Sequence, residues 1–203
     1  IEFWNLSLYV DQNVLVPRPE TEILVQKVLE IFDKKKIRVL DLGTGSGAIG
    51  LSLAKERANW EVVCSDLSYE ALKVTSKNMT RNALDVSLVN SNWSSAFKNE
   101  YFDVIVSNPP YINPSDPRVY SDGLKFEPKQ ALISDSQGLY DIERIVKETS
   151  EILNNAGYLF IEHGYDQSDL VVSIFERCGF SQIRTFKDLN GDDRVCLGKL
   201  NRC

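Results

Sequence analysis

From residue 38 onward, short β-branched runs alternate with segments of helical period, and that alternation leaves few folds open. The runs 38–42, 61–65, 86–90, 102–107 and 157–161 read as buried strands. Helices are expected over 48–57, 68–82, 139–153 and 168–178, where apolar residues recur every three or four positions. Strands joined through helices lie parallel, with both faces of the sheet covered. The segments 183–186 and 195–198 flank the turn sequence Asn190-Gly191-Asp192-Asp193 and predict a final antiparallel pair. The expected fold is α/β: a mostly parallel, seven-stranded sheet with one antiparallel edge strand.

Ahead of this unit, Leu6, Leu8 and Val10 alternate, Asp11-Gln12-Asn13 is polar, and Val14-Leu15-Val16 is apolar. This predicts a β-hairpin, ended by Pro17 and Pro19, and then a helix over 21–32. The chain divides into a hairpin linker, 1–19, and one α/β domain, 20–203. A length of 203 residues with 43% apolar content suits a single well-cored domain. No apolar run approaches the roughly 18–20 residues that span a bilayer, so a cytoplasmic location without membrane contact is expected. One histidine, His163, excludes a multi-histidine metal centre, and at the end of a buried strand it reads as structural. Cys64, Cys178, Cys196 and Cys203 match no zinc spacing and read as free thiols. Lys34-Lys35-Lys36 reads as a solvated loop. The net charge of −6 argues against nucleic acid, whose phosphates favour a basic surface.

Two turns carry the chemistry. Val39-Leu40-Asp41-Leu42 runs into Gly43-Thr44-Gly45-Ser46-Gly47, where glycines let the backbone turn sharply and approach a ligand. Asp66 ends the next strand, where a carboxylate can accept both hydroxyl hydrogens of a ribose. The turn also satisfies G-x-G-x-x-A, so a nicotinamide cofactor stays open. Asp41, placed to attract an ammonium group, and the third glycine favour S-adenosylmethionine. The second turn is Asn108-Pro109-Pro110-Tyr111, straight after an apolar strand that would neighbour the first. A delocalised nitrogen is a poor nucleophile, so its methylation depends on holding it in line with the donor. The Asn108 side-chain oxygen and the Pro109 carbonyl can each accept one N–H, and Tyr111 can cover a planar amide. Behind them, residues 108–137 hold Pro109, Pro110, Pro114, Pro117 and Pro128 and no clear periodicity, as functional loops do.

The motifs together resemble the HemK/PrmC-type peptide chain release factor glutamine methyltransferases over nearly the whole chain. Val16-Pro17-Arg18-Pro19-Glu20-Thr21-Glu22 resembles that family's PRPxTE segment, and Phe126-Glu127-Pro128 with Ala131-Leu132 its FEPxxAL element. Glu162-His163-Gly164 and Gly191-Asp192-Asp193-Arg194-Val195 also fit. The resemblance implies a class I methyltransferase, Rossmann-like fold. It implies transfer from S-adenosyl-L-methionine, leaving S-adenosyl-L-homocysteine, to the glutamine amide of the Gly-Gly-Gln motif in class I release factors. It assigns Gly43, Thr44, Gly45, Ser46 and Gly47 to the methionine part of the cofactor, Asp66 to its ribose and Trp93 to its adenine. It assigns Asn108, Pro109, Pro110 and Tyr111 to the substrate amide, with Asn108 also near the cofactor. Asn92 departs from the acidic residue common before the Trp93 position. The family's N-terminal helical domain is expected to precede this chain. Arg18 and Glu22 are expected either to pair with one another or to line the donor pocket, and Phe3 and Trp4 to be hairpin core or contact surface. The rival substrates are a ribosomal-protein glutamine and a nucleic-acid adenine amine, which offers the same two N–H donors. A nicotinamide-dependent oxidoreductase or an idle binding module is the rival from another class. Charge and the segment 16–22 disfavour the adenine.

Overall fold

The computed structural model describes residues 1–32, 36–98, 101–120 and 126–202, the side chains of Arg118 and Tyr120 excepted. Lys34, Lys35 and Cys203 lie outside the described residues.

The expected sheet is present. Its strands are β3 (Arg38–Leu42), β4 (Glu61–Asp66), β5 (Ser87–Asn90), β6 (Phe102–Ser107), β7 (Leu153–Glu162), β8 (Phe180–Lys187) and β9 (Asp193–Leu200). They lie in the order β5-β4-β3-β6-β7-β9-β8. β5 through β7 are parallel, whereas β9 pairs antiparallel with both β7 and β8. The antiparallel strand thus belongs to the edge pair and is threaded inside it. The helices are α1 (Glu22–Ile31), α2 (Ala48–Glu56), α3 (Tyr69–Arg81), the short α4 (Asp135–Gly138), α5 (Tyr140–Ile152) and α6 (Ser168–Arg177).

Strand alternation explains the two-sided burial. Val39, Val104 and Val106 face α1 and α2, while Leu40, Leu42 and Ile105 face α5 and α6. Both sets are fully buried, and each such side chain contributes about 1.5–3 kcal/mol on leaving water. β7 starts earlier than its apolar run, at Leu153, because a register shift opposite Phe102 and Val104 absorbs the turn-like Asn154-Asn155-Ala156-Gly157 as a bulge.

The N-terminal hairpin exists but sits elsewhere. β1 (Glu2–Phe3) pairs with β2 (Leu6–Ser7) around Trp4 and Asn5, and residues 8–18 form no strand. Trp4 takes a left-handed φ of 51° that makes the tight turn. The segment expected to pair with residues 14–16 finds other partners. Tyr9 N–H donates to Asn78 Oδ1 at 2.6 Å, and Asn78 Nδ2 donates to the Tyr9 carbonyl at 2.9 Å. A helix side chain thereby replaces the sister strand. Phe3 is buried core, and Trp4 Nε1 donates to Glu56 Oε1 at 2.9 Å.

Candidate active site

β3 and β6 end in register, Leu42 opposite Ser107, and Ser107 Oγ donates to the Leu42 carbonyl at 2.7 Å. Gly43 and Asn108 therefore leave the sheet side by side where strand order reverses, the crevice in which open α/β sheets bind ligands. A cavity of about 380 Å³ opens there, lined by Gly43, Thr44, Gly45, Ser46, Asp66, Asn92, Trp93, Asn108 and Pro110. Gly47 does not line it and instead caps α2 at φ 84°.

Asp41 lies behind the turn rather than in the cavity, which corrects its expected place beside a ligand ammonium. It is fully buried, and Oδ2 accepts from Thr44 Oγ1 at 2.6 Å and Gly50 N–H at 2.9 Å. Burial pushes its carboxyl up to about 6 against those two bonds, and Oδ1 has no hydrogen-bond partner. Asp66 braces the turn from the next strand. Its oxygens accept from Gly45 N–H at 2.9 Å and Ser68 N–H at 2.8 Å, and burial raises its pKa. Each oxygen keeps a lone pair for a ligand hydroxyl. Trp93 holds a left-handed φ of 47°, and its Nε1 donates to Asp141 Oδ1 at 3.3 Å. Its ring stands so close to Gly43 that an added Cβ there would lie 3.1 Å from Cζ3.

A second cavity, of about 580 Å³, is lined by Arg18, Pro109, Tyr111, Tyr165, Leu170 and Arg194 among others. It shares Leu15, Asn108 and Ala131 with the first. The two prolines divide: Pro110 lines the first cavity and Pro109 the second. Asn108 Nδ2 donates to Thr21 Oγ1 at 3.2 Å, while Oδ1 is buried without a partner. An orphan acceptor costs about 1–3 kcal/mol, a cost that a ligand N–H removes. Tyr111 Oη donates to Glu162 Oε1 at 3.1 Å, and burial, with the Glu162 charge beside it, keeps the phenol protonated. Asn108 thus lines both cavities, and its side-chain oxygen is buried without a hydrogen-bond partner.

Comparison with known proteins shows the family. The family model described as "Methyltransferase small domain" matches residues 19–121. The release factor glutamine methyltransferase of Salmonella typhimurium is 41% identical over 199 residues, covering 98% of this chain and 72% of that protein. Its counterpart in Buchnera aphidicola subsp. Schizaphis graminum is 45% identical with the same coverage. The Escherichia coli counterpart is 38% identical, also over 98% of this chain and 72% of that protein. The chain belongs to the release factor glutamine methyltransferase family.

Solved structures agree on the fold of this methyltransferase. A methyltransferase from Pyrococcus furiosus superposes with a TM-score of 0.72 at 19% identity, covering 98% of this chain and 91% of that one. The hMettl16 catalytic domain, in complex with a MAT2A 3'UTR hairpin, gives 0.76 at 17%, covering 98% and 76%.

Several residues of the methyltransferase behave differently from their sequence reading. Arg18 lines the second cavity and pairs with Glu127 at 2.6 Å, so residues 17–18 and 127–128 clasp over the site. Glu22 does not pair with Arg18 and accepts Trp4 N–H at 2.6 Å. His163 is fully buried and lines neither cavity; Nδ1 lies 2.8 Å from the Gly164 carbonyl, Nε2 has no hydrogen-bond partner, and burial lowers its pKa. The proline-rich loop walls both cavities, through Pro128, Gln130 and Ile133 on one side and Ile112, Asn113 and Pro117 on the other. Among the described residues, no cluster could hold a metal ion and no helix is long and apolar enough to cross a membrane. Cys64, Cys178 and Cys196 are free.

Sequence reasoning gave no separate role to Thr21, Asp141, Glu162, Gln167 or Arg194. Glu162 ends β7, and burial pushes its carboxyl up to about 7, opposed by the Thr21 hydroxyl, Tyr111 and Arg194. Arg194 Nη2 and Nε donate to Asp188 Oδ2 at 3.0 and 3.2 Å. Gln167 Nε2 donates to the Tyr111 carbonyl at 3.0 Å, and Gly138, at φ 83°, passes beneath the same carbonyl. The one available signal was a carboxylate ending an otherwise apolar run, at Glu162.

Proposed function

We propose that the enzyme transfers a methyl group from S-adenosyl-L-methionine to the side-chain nitrogen (N5) of the glutamine in the Gly-Gly-Gln motif of class I release factors. S-adenosyl-L-homocysteine is the other product. The observation that carries this reading is Asn108, which lines both cavities and whose side-chain Oδ1 has no hydrogen-bond partner. An amide nitrogen brings the N–H donor that this oxygen lacks.

The first cavity suits the cofactor chemically. Gly43, Thr44, Gly45 and Ser46 bring backbone close to the methionine moiety. Asp66 takes the ribose hydroxyls, and Trp93 with Asn92 walls the adenine. When bound, S-adenosyl-L-methionine supplies a methyl group on a sulfonium, already a good leaving group.

In the second cavity, Asn108 Oδ1 and the Pro109 carbonyl each hold one amide proton, and Pro109 keeps its carbonyl still through a fixed φ. Tyr111 covers the amide plane. Holding the nitrogen in this way supplies several kcal/mol without a strong base. Residues 20–203 carry the catalysis on this reading, and residues 1–19 brace it. Action on release factors puts the enzyme in the cytoplasm, and neither nucleic acid nor a metal has a direct role.

The test is methyl transfer to purified release factor and to a Gln→Ala variant of its Gly-Gly-Gln motif. Only the parent should be labelled, and equal labelling of both would refute the assignment. Asn108→Ala should lose turnover far more than cofactor affinity; an equal loss in both would make Asn108 a cofactor residue instead.

A further inference from the structure

Pro109 and Pro110 carry no N–H, so the middle of the Asn108–Tyr111 turn has no main-chain donor with which to pin itself. Its position is set from its ends. At the first end, Ser107 Oγ donates to the Leu42 carbonyl at 2.7 Å and Asn108 Nδ2 to Thr21 Oγ1 at 3.2 Å. At the other end, the Tyr111 carbonyl receives a hydrogen from Gln167 Nε2 at 3.0 Å. Gln167 stands immediately before α6 and is 6% exposed. The same Nε2 donates to the Gln137 carbonyl at 3.1 Å, and Oε1 accepts from Gly164 N–H at 2.8 Å. One buried amide thus joins the Asn108–Tyr111 turn, α4 and the turn that follows β7.

We propose that Gln167 is a positioning residue for methyl transfer, which holds the Tyr111 end of the turn where Pro109 and Tyr111 meet the substrate amide. The proposal rests on the assignment of that turn to the substrate. Its three partners dictate the residue type. Two carbonyls need donors and one N–H needs an acceptor, and a primary amide carries that set on one planar group. A glutamate of the same shape would set an oxygen against both carbonyls. A methionine would offer none of the three bonds. The main chain of Gln167 is held as well: its N–H donates to the Gly164 carbonyl at 3.0 Å, and its carbonyl receives Val171 N–H at 2.9 Å. The amide therefore projects from the head of a helix rather than from a free loop, and a group on a rigid element is placed more closely.

A strained segment converges on the same carbonyl. Ser136, Gln137 and Gly138 take left-handed φ values of 54°, 59° and 83° in succession. Non-glycine residues in that region are costly and persist where their surroundings hold them. Gln167 supplies such a hold through the Gln137 carbonyl. The left-handed run brings Gly138 so near Tyr111 that an added Cβ would overlap the Tyr111 carbonyl oxygen. That carbonyl is thus fixed by a donor and by packed backbone together. Gln167 lines the second cavity and not the first, so its loss should disturb the substrate side and spare the cofactor.

Three variants and one measurement on the parent protein test this. Gln167→Glu keeps the shape and the acceptor but loses both donors, and Gln167→Met keeps the length but loses every bond. Ile152→Ala, at the buried far end of α5, weakens the core without touching the turn. Each is assayed for single-turnover methyl transfer to release factor well below its own Tm, for S-adenosyl-L-homocysteine affinity by calorimetry, and for thermal unfolding. Both Gln167 variants should slow transfer by about 10–100-fold, with cofactor affinity within about threefold of the parent. Ile152→Ala should lower Tm comparably yet transfer within about threefold of the parent. Gln167 variants as fast as the parent, or losing cofactor affinity in step with rate, would overturn the proposal. So would Ile152→Ala as slow as they are, because the loss would then track stability. In the parent, both Gln167 side-chain amide protons should exchange with solvent at least about tenfold more slowly than those of exposed Gln182. Equal exchange would overturn the clamp, and this measurement needs no variant. If Asn108→Ala abolishes transfer while the Gln167 variants retain it, the role of Gln167 alone fails. If Asn108→Ala itself transfers normally, the underlying assignment fails.

Discussion

Glu162→Gln should make the protein more stable at neutral pH. The Glu162 carboxyl ionises near 4.5 in an ordinary setting and is pushed up to about 7 in the fold, chiefly by burial. Its folded pKa lies above its unfolded one, so the folded chain holds the proton more tightly. Stability from this group is fully present below about 4.5, falls between 4.5 and 7, and is level above. Each pH unit between the two values is worth about 1.4 kcal/mol, which puts the penalty above pH 7 on the order of 3 kcal/mol. Glutamine keeps an acceptor for Tyr111 and carries no charge, so it escapes the decline. For a chain of this length, 3 kcal/mol corresponds to roughly 6–12 °C in Tm. Thermal unfolding of parent and variant from pH 4.5 to pH 8 checks this. The variant should match or fall below the parent at the acid end and rise above it progressively toward pH 8. A gap that stays constant across the range would refute the reasoning, because the penalty would then not follow the ionisation of Glu162.

Three more outcomes are expected. Gly43→Ala forces a side chain at φ 71° and sets it against the Trp93 ring, so S-adenosyl-L-homocysteine should bind about tenfold more weakly by calorimetry, at a stability cost of roughly 1–2 kcal/mol. Gly138→Ala would place Cβ 2.0 Å from the Tyr111 carbonyl oxygen; it should cost about 3 kcal/mol in denaturant unfolding and raise KM for release factor more than it weakens cofactor binding. Cys64 and Cys196 are buried, and burial pushes both thiols up, so a thiol reagent should modify them only as fast as the chain unfolds.

The sequence disclosed what local backbone chemistry dictates. Three glycines after an apolar strand, and a Pro-Pro pair after another, constrain the main chain within a few residues, and both turns lie where they were expected. Contacts made across the chain left no such trace. Thr21 meets Asn108 over 87 residues, and Tyr111 meets Glu162 over 51; no periodicity encodes either. The hairpin was misplaced for the same reason. The alternation of Leu6, Leu8 and Val10 is real, and Leu6 and Leu8 are buried, but the backbone of Tyr9 is satisfied by Asn78, far away in sequence. Arg18 shows the limit of nearness: Glu22 stands one helical turn on, yet the partner is Glu127.

The placement of β9 between β7 and β8 has a consequence for how the protein matures. Chain order and spatial order disagree at that edge, because β8 leaves the ribosome before β9 but must end up outside it. The first cavity is lined by residues between Asn13 and Arg144, all of which emerge early. Arg194 and its strand arrive later, and until they do the flank of β7 stays unpaired, a template for pairing with other chains. A nascent chain can thus gather the first cavity well before the second is complete. The last insertion both pairs the open flank of β7 and gives Glu162 its counter-charge, so the second cavity gains its Arg194 wall as the sheet gains its last inner strand.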